Sequence, residues 1–202
     1  MCSVEDLADD IKIVMDYFKV DKAHAIIGVS QGGAATLQFA LKYPHMVDRV
    51  VVCDTQSKTP EGNIKAWDDR IELARKEGMK KLAEATAARW FPPRSPWAND
   101  GWVLEMIENT PIEGFITGAR ALQSYDLISQ GLLRSKVKTL LMAGELDAGG
   151  KIAEGLKMLR EAWVGDGEGG DVRFVELEGC GHLPMIDGWR VWIREVKKFL
   201  EE

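Results

Sequence analysis

The chain has 202 residues, 46% of them hydrophobic, and a formal net charge of −6. That suffices for one full core with a smaller appendage, and charges of both signs mixed throughout leave no basic footprint for nucleic acid. The three cysteines (Cys2, Cys53 and Cys180) are too few and too scattered for a disulfide framework, and three distant histidines without a C-x-x-C pair suggest no metal site and no cofactor. No stretch reaches the length of a membrane span and no signal peptide opens the chain, so the expected location is a reducing cytoplasm, with no membrane partner.

In chain order, Ser3 followed by Asp6 forms an S-x-x-D capping pattern, and Leu7, Ile11, Val14 and Phe18 recur on one face, which predicts a helix packed along that stripe. The apolar run Ala25-Ile26-Ile27 then leads into Gly28-Val29-Ser30-Gln31-Gly32, with a helix predicted from Gly33 to Lys42. Strand, sharp turn and helix are the setting that makes G-x-S-x-G a nucleophile elbow, in which a strained turn pushes the serine Oγ out of the sheet. Gly28 and Gly32 are both expected to be required, because a Cβ at either would meet the neighbouring strand and helix. A strand over 47–53 follows, with Val50, Val51 and Val52 at its centre.

Between Thr55 and Gln130 no comparable strand is evident. The segment is helix-prone, carries Trp67, Trp90, Trp97 and Trp102, and is broken by Pro92, Pro93 and Pro96. A helical insert between two strands of such a sheet reads as a lid over an apolar pocket, with most of the aromatic residues packing the lid's own core. The sheet resumes over 137–143. A helix from Ile152 to Trp163, a Gly/Asp linker over 165–170 and a strand over 172–177 come next. An amphipathic helix bearing Trp189, Trp192, Val196 and Phe199 closes the chain. The organisation is therefore a core in two parts, 1–54 and 131–202, around a lid of 55–130.

A neutral serine hydroxyl is a poor nucleophile and needs a base, which in turn needs an orienting carboxylate. His24 starts the strand that ends at Ser30 and so lies at the far end of the sheet. His45 follows Tyr43-Pro44 and reads as a surface residue. His182, in Gly179-Cys180-Gly181-His182-Leu183-Pro184, sits on a loop just past a strand and is the base by elimination. Asp147, closing the strand over 137–143, is the chosen carboxylate. Asp54, at the end of the strand beside the elbow, and Glu145 are its competitors. The backbone N–H of Gln31 is the one identifiable oxyanion donor. The order Ser30, Asp147, His182 matches that of the α/β hydrolases.

Further motifs narrow the comparison. Ser3-Val4-Glu5-Asp6-Leu7-Ala8-Asp9-Asp10, Val52-Cys53-Asp54-Thr55, Arg89-Trp90-Phe91, Ala66-Trp67-Asp68-Asp69-Arg70, Glu77-Gly78-Met79 and Thr110-Pro111-Ile112-Glu113-Gly114-Phe115 make the chain resemble the 3-oxoadipate enol-lactonases. The resemblance implies an α/β-hydrolase fold, a mostly parallel sheet flanked by helices with a helical lid, and opening of a small-molecule lactone or ester through an acyl-serine. That family's substrate bears a free carboxylate, for which Arg89 is the candidate cation, with Trp90 beside it. Another lidded α/β hydrolase (an esterase or a carbon–carbon bond hydrolase) and a non-catalytic chain are the alternatives. Family members carry further strands before the helix that here begins at Ser3, and a loop there supplies a second oxyanion donor. The expectation is an N-terminally shortened fold with an exposed apolar edge at 25–29: an incomplete version of a longer protein is favoured over an edge covered by a partner such as a second copy or a remodelling of the family's fold.

Overall fold

The computed structural model of the protein describes residues 2–99, 101–165 and 167–202. At the start, the Ser3 hydroxyl accepts from the Asp6 N–H while the Asp6 carboxylate accepts from the Ser3 N–H, so the capping box forms and opens helix α1 (Val4–Tyr17). Strand β1 (Ala23–Val29), helix α2 (Gln31–Lys42) and strand β2 (Val47–Cys53) follow. After a helical insert come β3 (Lys138–Gly144), then α6 (Lys151–Gly165), β4 (Val172–Leu177), the short α7 (Pro184–Asp187) and α8 (Trp189–Leu200).

The four strands pair in sequence order, β1-β2-β3-β4, and every pairing is parallel. The register aligns Val29 with Cys53, Cys53 with Met142, and Gly144 with Leu177. All four strands therefore finish at one edge of the sheet, and the residues just beyond them gather there, at the carboxyl ends where α/β sheets bind ligands. Helices cover both faces, which explains why the strands read as unbroken apolar runs. Val50, Val52 and Leu141 pack under α1, α2 and α6 with Leu37, Phe39 and Trp163. Val51, Cys53, Leu140 and Met142 face the other way, onto Val196 and Phe199 of α8.

Helix α1 departs from the expected stripe. It buries Val4, Ala8 and Met15, with Ile11 packed beside them, whereas Val14 is 55% and Phe18 68% exposed. Small Ala8 lets α1 approach α2 closely, and the pair is tied by Lys42 to Glu5 and Asp9 and by the Tyr43 hydroxyl to Asp9. Stripe 4-8-11-15 thus wins over 7-11-14-18, leaving Ile13, Val14 and Phe18 exposed on α1, and Ile27 46% exposed on β1. Among the described residues β1 pairs only with β2, so its other edge is open.

The insert between β2 and β3 contains α3 (Asn63–Trp90), α4 (Gly101–Glu108) and α5 (Ile112–Ala121). Its two ends are pinned to each other where Lys58 and Asp126 form an antiparallel bridge, flanked by the bonds Leu127 N–H to Ser57 O and Thr59 N–H to Tyr125 O. Helix α3 is two helical arms joined at Gly78, whose φ of 85° and ψ of 170° belong to glycine alone. Four tryptophans were placed in this insert by sequence. Trp90 and Trp97 join its apolar cluster with Phe91 and Val103, and Trp67 packs on Ile71 and Ile116. Trp102 is 46% exposed. No described helix is long and apolar enough to cross a membrane.

Candidate active site

Ser30 stands between β1 and α2 with φ 56° and ψ −118°, a left-handed conformation that a non-glycine residue adopts only when its surroundings impose it. The imposition is visible: its N–H is bonded to Cys53 O of the neighbouring strand at 2.9 Å, while its own carbonyl accepts from Ala34 of α2. Helix α2 begins at Gln31, two residues earlier than expected, so the Gln31 N–H lies in the unpaired first turn of a helix, beside the serine. The Gln31 side chain bonds Gly118 O of α5 at 2.9 Å and ties the elbow to the insert.

The close approach expected at both elbow glycines is present at Gly28 and absent at Gly32. A Cβ on Gly28 would lie 2.2 Å from Gly32 O, but one on Gly32 meets nothing within 4 Å. The tight approach falls one residue later, at Gly33, where a Cβ would sit 2.9 Å from Thr55. Gly32→Ala is accordingly expected, in thermal melts, to leave stability unchanged or raise it by up to about 1 kcal/mol through helix propensity. Gly28→Ala, measured in the same melts, is expected to destabilise strongly.

His182 Nδ1 lies 2.8 Å from Asp147 Oδ2. The pair is held by close backbone packing rather than by chance of a loop. His182 N–H bonds Trp90 O at 2.8 Å, and the Trp90 ring stacks on the imidazole with centroids 5.5 Å apart. Gly181 is required because a Cβ there would lie 2.2 Å from Trp90 O, and Gly144 because a Cβ there would lie 2.0 Å from Gly181 O. Asp147 is 5% exposed and opens a 3-10 turn in which Ala148, Gly149 and Gly150 all have positive φ. Glu145, the nearby competitor, is exposed and accepts from the Gly179 N–H. His24 bonds Leu200 O at the opposite end of the sheet, and His45 is exposed.

Ser30, His182 and Asp147 all line one cavity of about 380 Å³, within the size range of small-molecule sites. No hydrogen bond joins Ser30 to His182 among the described residues; such contacts commonly tighten only on binding. Asp54, the second competitor, lies in the same wall. It is 1% exposed with φ 46°, and its Oδ1 accepts from the Gly144 N–H at 2.9 Å. Burial, with the Asp147 charge adding to it, pushes its carboxyl up to about 9. Among the described residues, Asp54, Asp147 and His182 are the one set of three His, Cys, Asp or Glu side chains whose polar atoms lie within 4.8 Å of one another.

Arg89 and Trp90 also line the cavity, as does Arg70, which sequence reasoning did not single out. The helix breaks at Gly78, and residues from both of its arms, Arg70 and Arg89 among them, line the one cavity. Arg70 stacks over the Trp67 ring at 4.4 Å. Burial, and then repulsion from Arg89, pushes its pKa down to about 10. Arg89 keeps part of its side chain in solvent, yet protein packed around the guanidinium lowers its pKa too, with Asp147 opposing. Solvent around Arg89 screens that second effect. Neither arginine has an ion-pair partner among the described residues, although acidic side chains abound on the same helix. The signal for Arg70 in the sequence was its place three residues after Trp67, where a helix brings the two side chains together.

The profile of the alpha/beta hydrolase fold matches residues 2–188. 3-oxoadipate enol-lactonase 2 of Acinetobacter baylyi is 28% identical over 156 residues, which are 75% of this chain and 57% of that protein; the chain thus spans little more than half the length of that relative. The enol-lactonase from Burkholderia xenovorans LB400 superposes with a TM-score of 0.81 at 28% identity, over 99% of this chain and 74% of that one. A thermophilic esterase from Thermogutta terrifontis shares the fold with a TM-score of 0.85 at 21% identity, covering 100% of this chain and 73% of its own. Matched along nearly its whole length, with its parallel sheet flanked by helices, the chain belongs to the alpha/beta hydrolase fold family and spans about three quarters of each structural neighbour.

Proposed function

We propose that the chain is a carboxylic-ester or lactone hydrolase working through an acyl-serine on Ser30, and that its substrate is an anionic lactone of the 3-oxoadipate enol-lactone kind. The observation that carries this reading is a single cavity lined by a strained serine, a His182–Asp147 pair and two arginines that have no ion-pair partner among the described residues. The matched enol-lactonases support the same substrate class.

In this reading Ser30 Oγ attacks the lactone carbonyl and its proton passes to His182 Nε2, while Asp147 at Nδ1 fixes the tautomer and steadies the imidazolium. The Gln31 N–H, at the positive end of α2, receives the developing oxyanion. Collapse breaks the ring C–O bond; the enol oxygen takes the proton back from His182 and tautomerises to a ketone. Water then attacks the acyl-serine, gives its proton to His182, and releases the open-chain acid with Ser30 restored. The insert bearing Arg70, Arg89 and Trp90 acts as the lid, and the arginines hold the substrate's free carboxylate.

Loss of one charge-assisted hydrogen bond to a carboxylate costs about 1.5–3 kcal/mol, or roughly 10- to 100-fold in binding. Arg70→Ala and Arg89→Ala are therefore each expected to raise KM for the anionic enol-lactone by at least about tenfold, while KM for a neutral nitrophenyl ester changes by less than about threefold. An unchanged KM for the lactone in both variants would remove the carboxylate reading.

A further inference from the structure

We infer that Asp54 is a positioning residue for the His182–Asp147 pair: it stands as a neutral carboxylic acid whose single proton is hydrogen-bonded to Asp147. This rests on the triad assigned above, and it concerns a group that the proposed reaction does not use.

The geometry leads there by elimination. Asp54 Oδ1 is satisfied by the Gly144 N–H, but Oδ2 is fully buried and receives no hydrogen bond. A buried carboxylate oxygen without a donor is costly. One oxygen of Asp54 lies within 4.8 Å of a carboxylate oxygen of Asp147 and a ring nitrogen of His182. Two buried carboxyl groups this close do not both ionise; one proton shared between them removes the repulsion and satisfies the orphan oxygen.

The surroundings decide which carboxyl holds the proton. Asp147 faces His182 at 2.8 Å and senses the positive charge of Arg89, so it carries the anion. Asp54 has no ion-pair partner among the described residues, and its Oδ1 accepts from a backbone N–H; besides Asp147 and His182, the titratable groups that sense it are the thiols Cys53, beside it on β2, and Cys180, on the loop before His182, pushed up by burial to about 12 and about 11. Its own raised pKa agrees with the proton residing there. The backbone was bent to allow this placement, for Asp54 has φ 46° with its N–H bonded to Met142 O. With its proton donated to Asp147, Asp54 fixes that carboxylate toward His182 and leaves one negative charge, rather than two, behind the imidazole.

Asp54→Asn preserves the arrangement, since its carbonyl can accept from Gly144 and its amide can donate to Asp147 permanently. Asp54→Ala removes the donor. The first test reads stability and needs no catalysis. A carboxyl whose folded pKa is raised keeps its proton in the folded state after the unfolded chain has lost its own, so its contribution falls as pH rises between the two values. The melting temperature of Asp54→Asn relative to the natural chain is therefore expected to climb from about pH 4 to about pH 9. A pH-independent offset overturns the neutral acid.

The second test reads the rate at which a fluorophosphonate labels Ser30. At pH 7, Asp54→Asn is expected within about threefold of the natural chain, and Asp54→Ala slower than Asp54→Asn by about tenfold or more. Above about pH 9 the natural chain is expected to lose rate relative to Asp54→Asn, because a second anion then breaks the contact with Asp147. Equal loss in the Asn and Ala variants would show that the anion itself is needed, which overturns the proposal; so would coincident pH profiles of the natural chain and Asp54→Asn. If no form labels at all, the triad reading has failed, and the stability test still decides the protonation of Asp54.

Discussion

His182→Ala is expected to abolish ester and lactone turnover, by roughly 10⁴-fold or more, while leaving the chain folded. The magnitude follows from what the ring does in the proposed reaction: it removes the serine proton, returns it to the leaving oxygen, and later activates water, so three proton transfers are lost at once. The fold is expected to survive because the elements around the loop are positioned by backbone, through the His182 N–H to Trp90 O bond and the Gly181 to Gly144 contact, none of which needs the imidazole. Thermal melts beside steady-state assays with a nitrophenyl ester check both halves. A variant that keeps more than a tenth of the turnover, as about one power of ten would still allow for a merely orienting group, removes His182 from the base role.

Gly144→Ala is expected to be the most damaging single methyl in the chain. The new carbon would fall 2.0 Å from Gly181 O and 2.6 Å from Cys180 O, both backbone atoms that no side-chain rotation can move aside. Either β3 or the His182 loop must shift. Overpacking of this kind costs at least about 3 kcal/mol, which in a chain of this size lowers the melting temperature by roughly 6–12 °C. Loss of activity is expected to exceed the loss of stability, because displacement of Gly181 carries His182 away from Asp147. Melts and ester hydrolysis of the folded fraction measure the two effects separately.

Much of the architecture was legible because parallel strands buried on both faces leave unbroken apolar runs, as at Val50-Val51-Val52, and because an elbow needs its glycine and serine in fixed order. The places where the reading missed share a cause. Which stripe of α1 turns inward depends on α2, where small Ala8 fits and Val14 does not, and no periodicity within α1 alone carries that information. The role given to Gly32 belongs to Gly33, because Thr55 arrives from another strand. Arg70 was invisible as a pocket residue because the break at Gly78, which lets both arms of α3 line one cavity, leaves no mark on helix periodicity. Asp54 and Asp147 were weighed as rivals for one role. The register that ends β1, β2 and β3 together instead places them side by side, where each changes what the other can do.

Whether Ser30 is a working nucleophile is read by labelling the purified chain with a fluorophosphonate and comparing intact and peptide masses with those of Ser30→Ala. One adduct is expected, on Ser30, and none on the variant. A folded chain that takes up no adduct, or takes it up equally without Ser30, would contradict it.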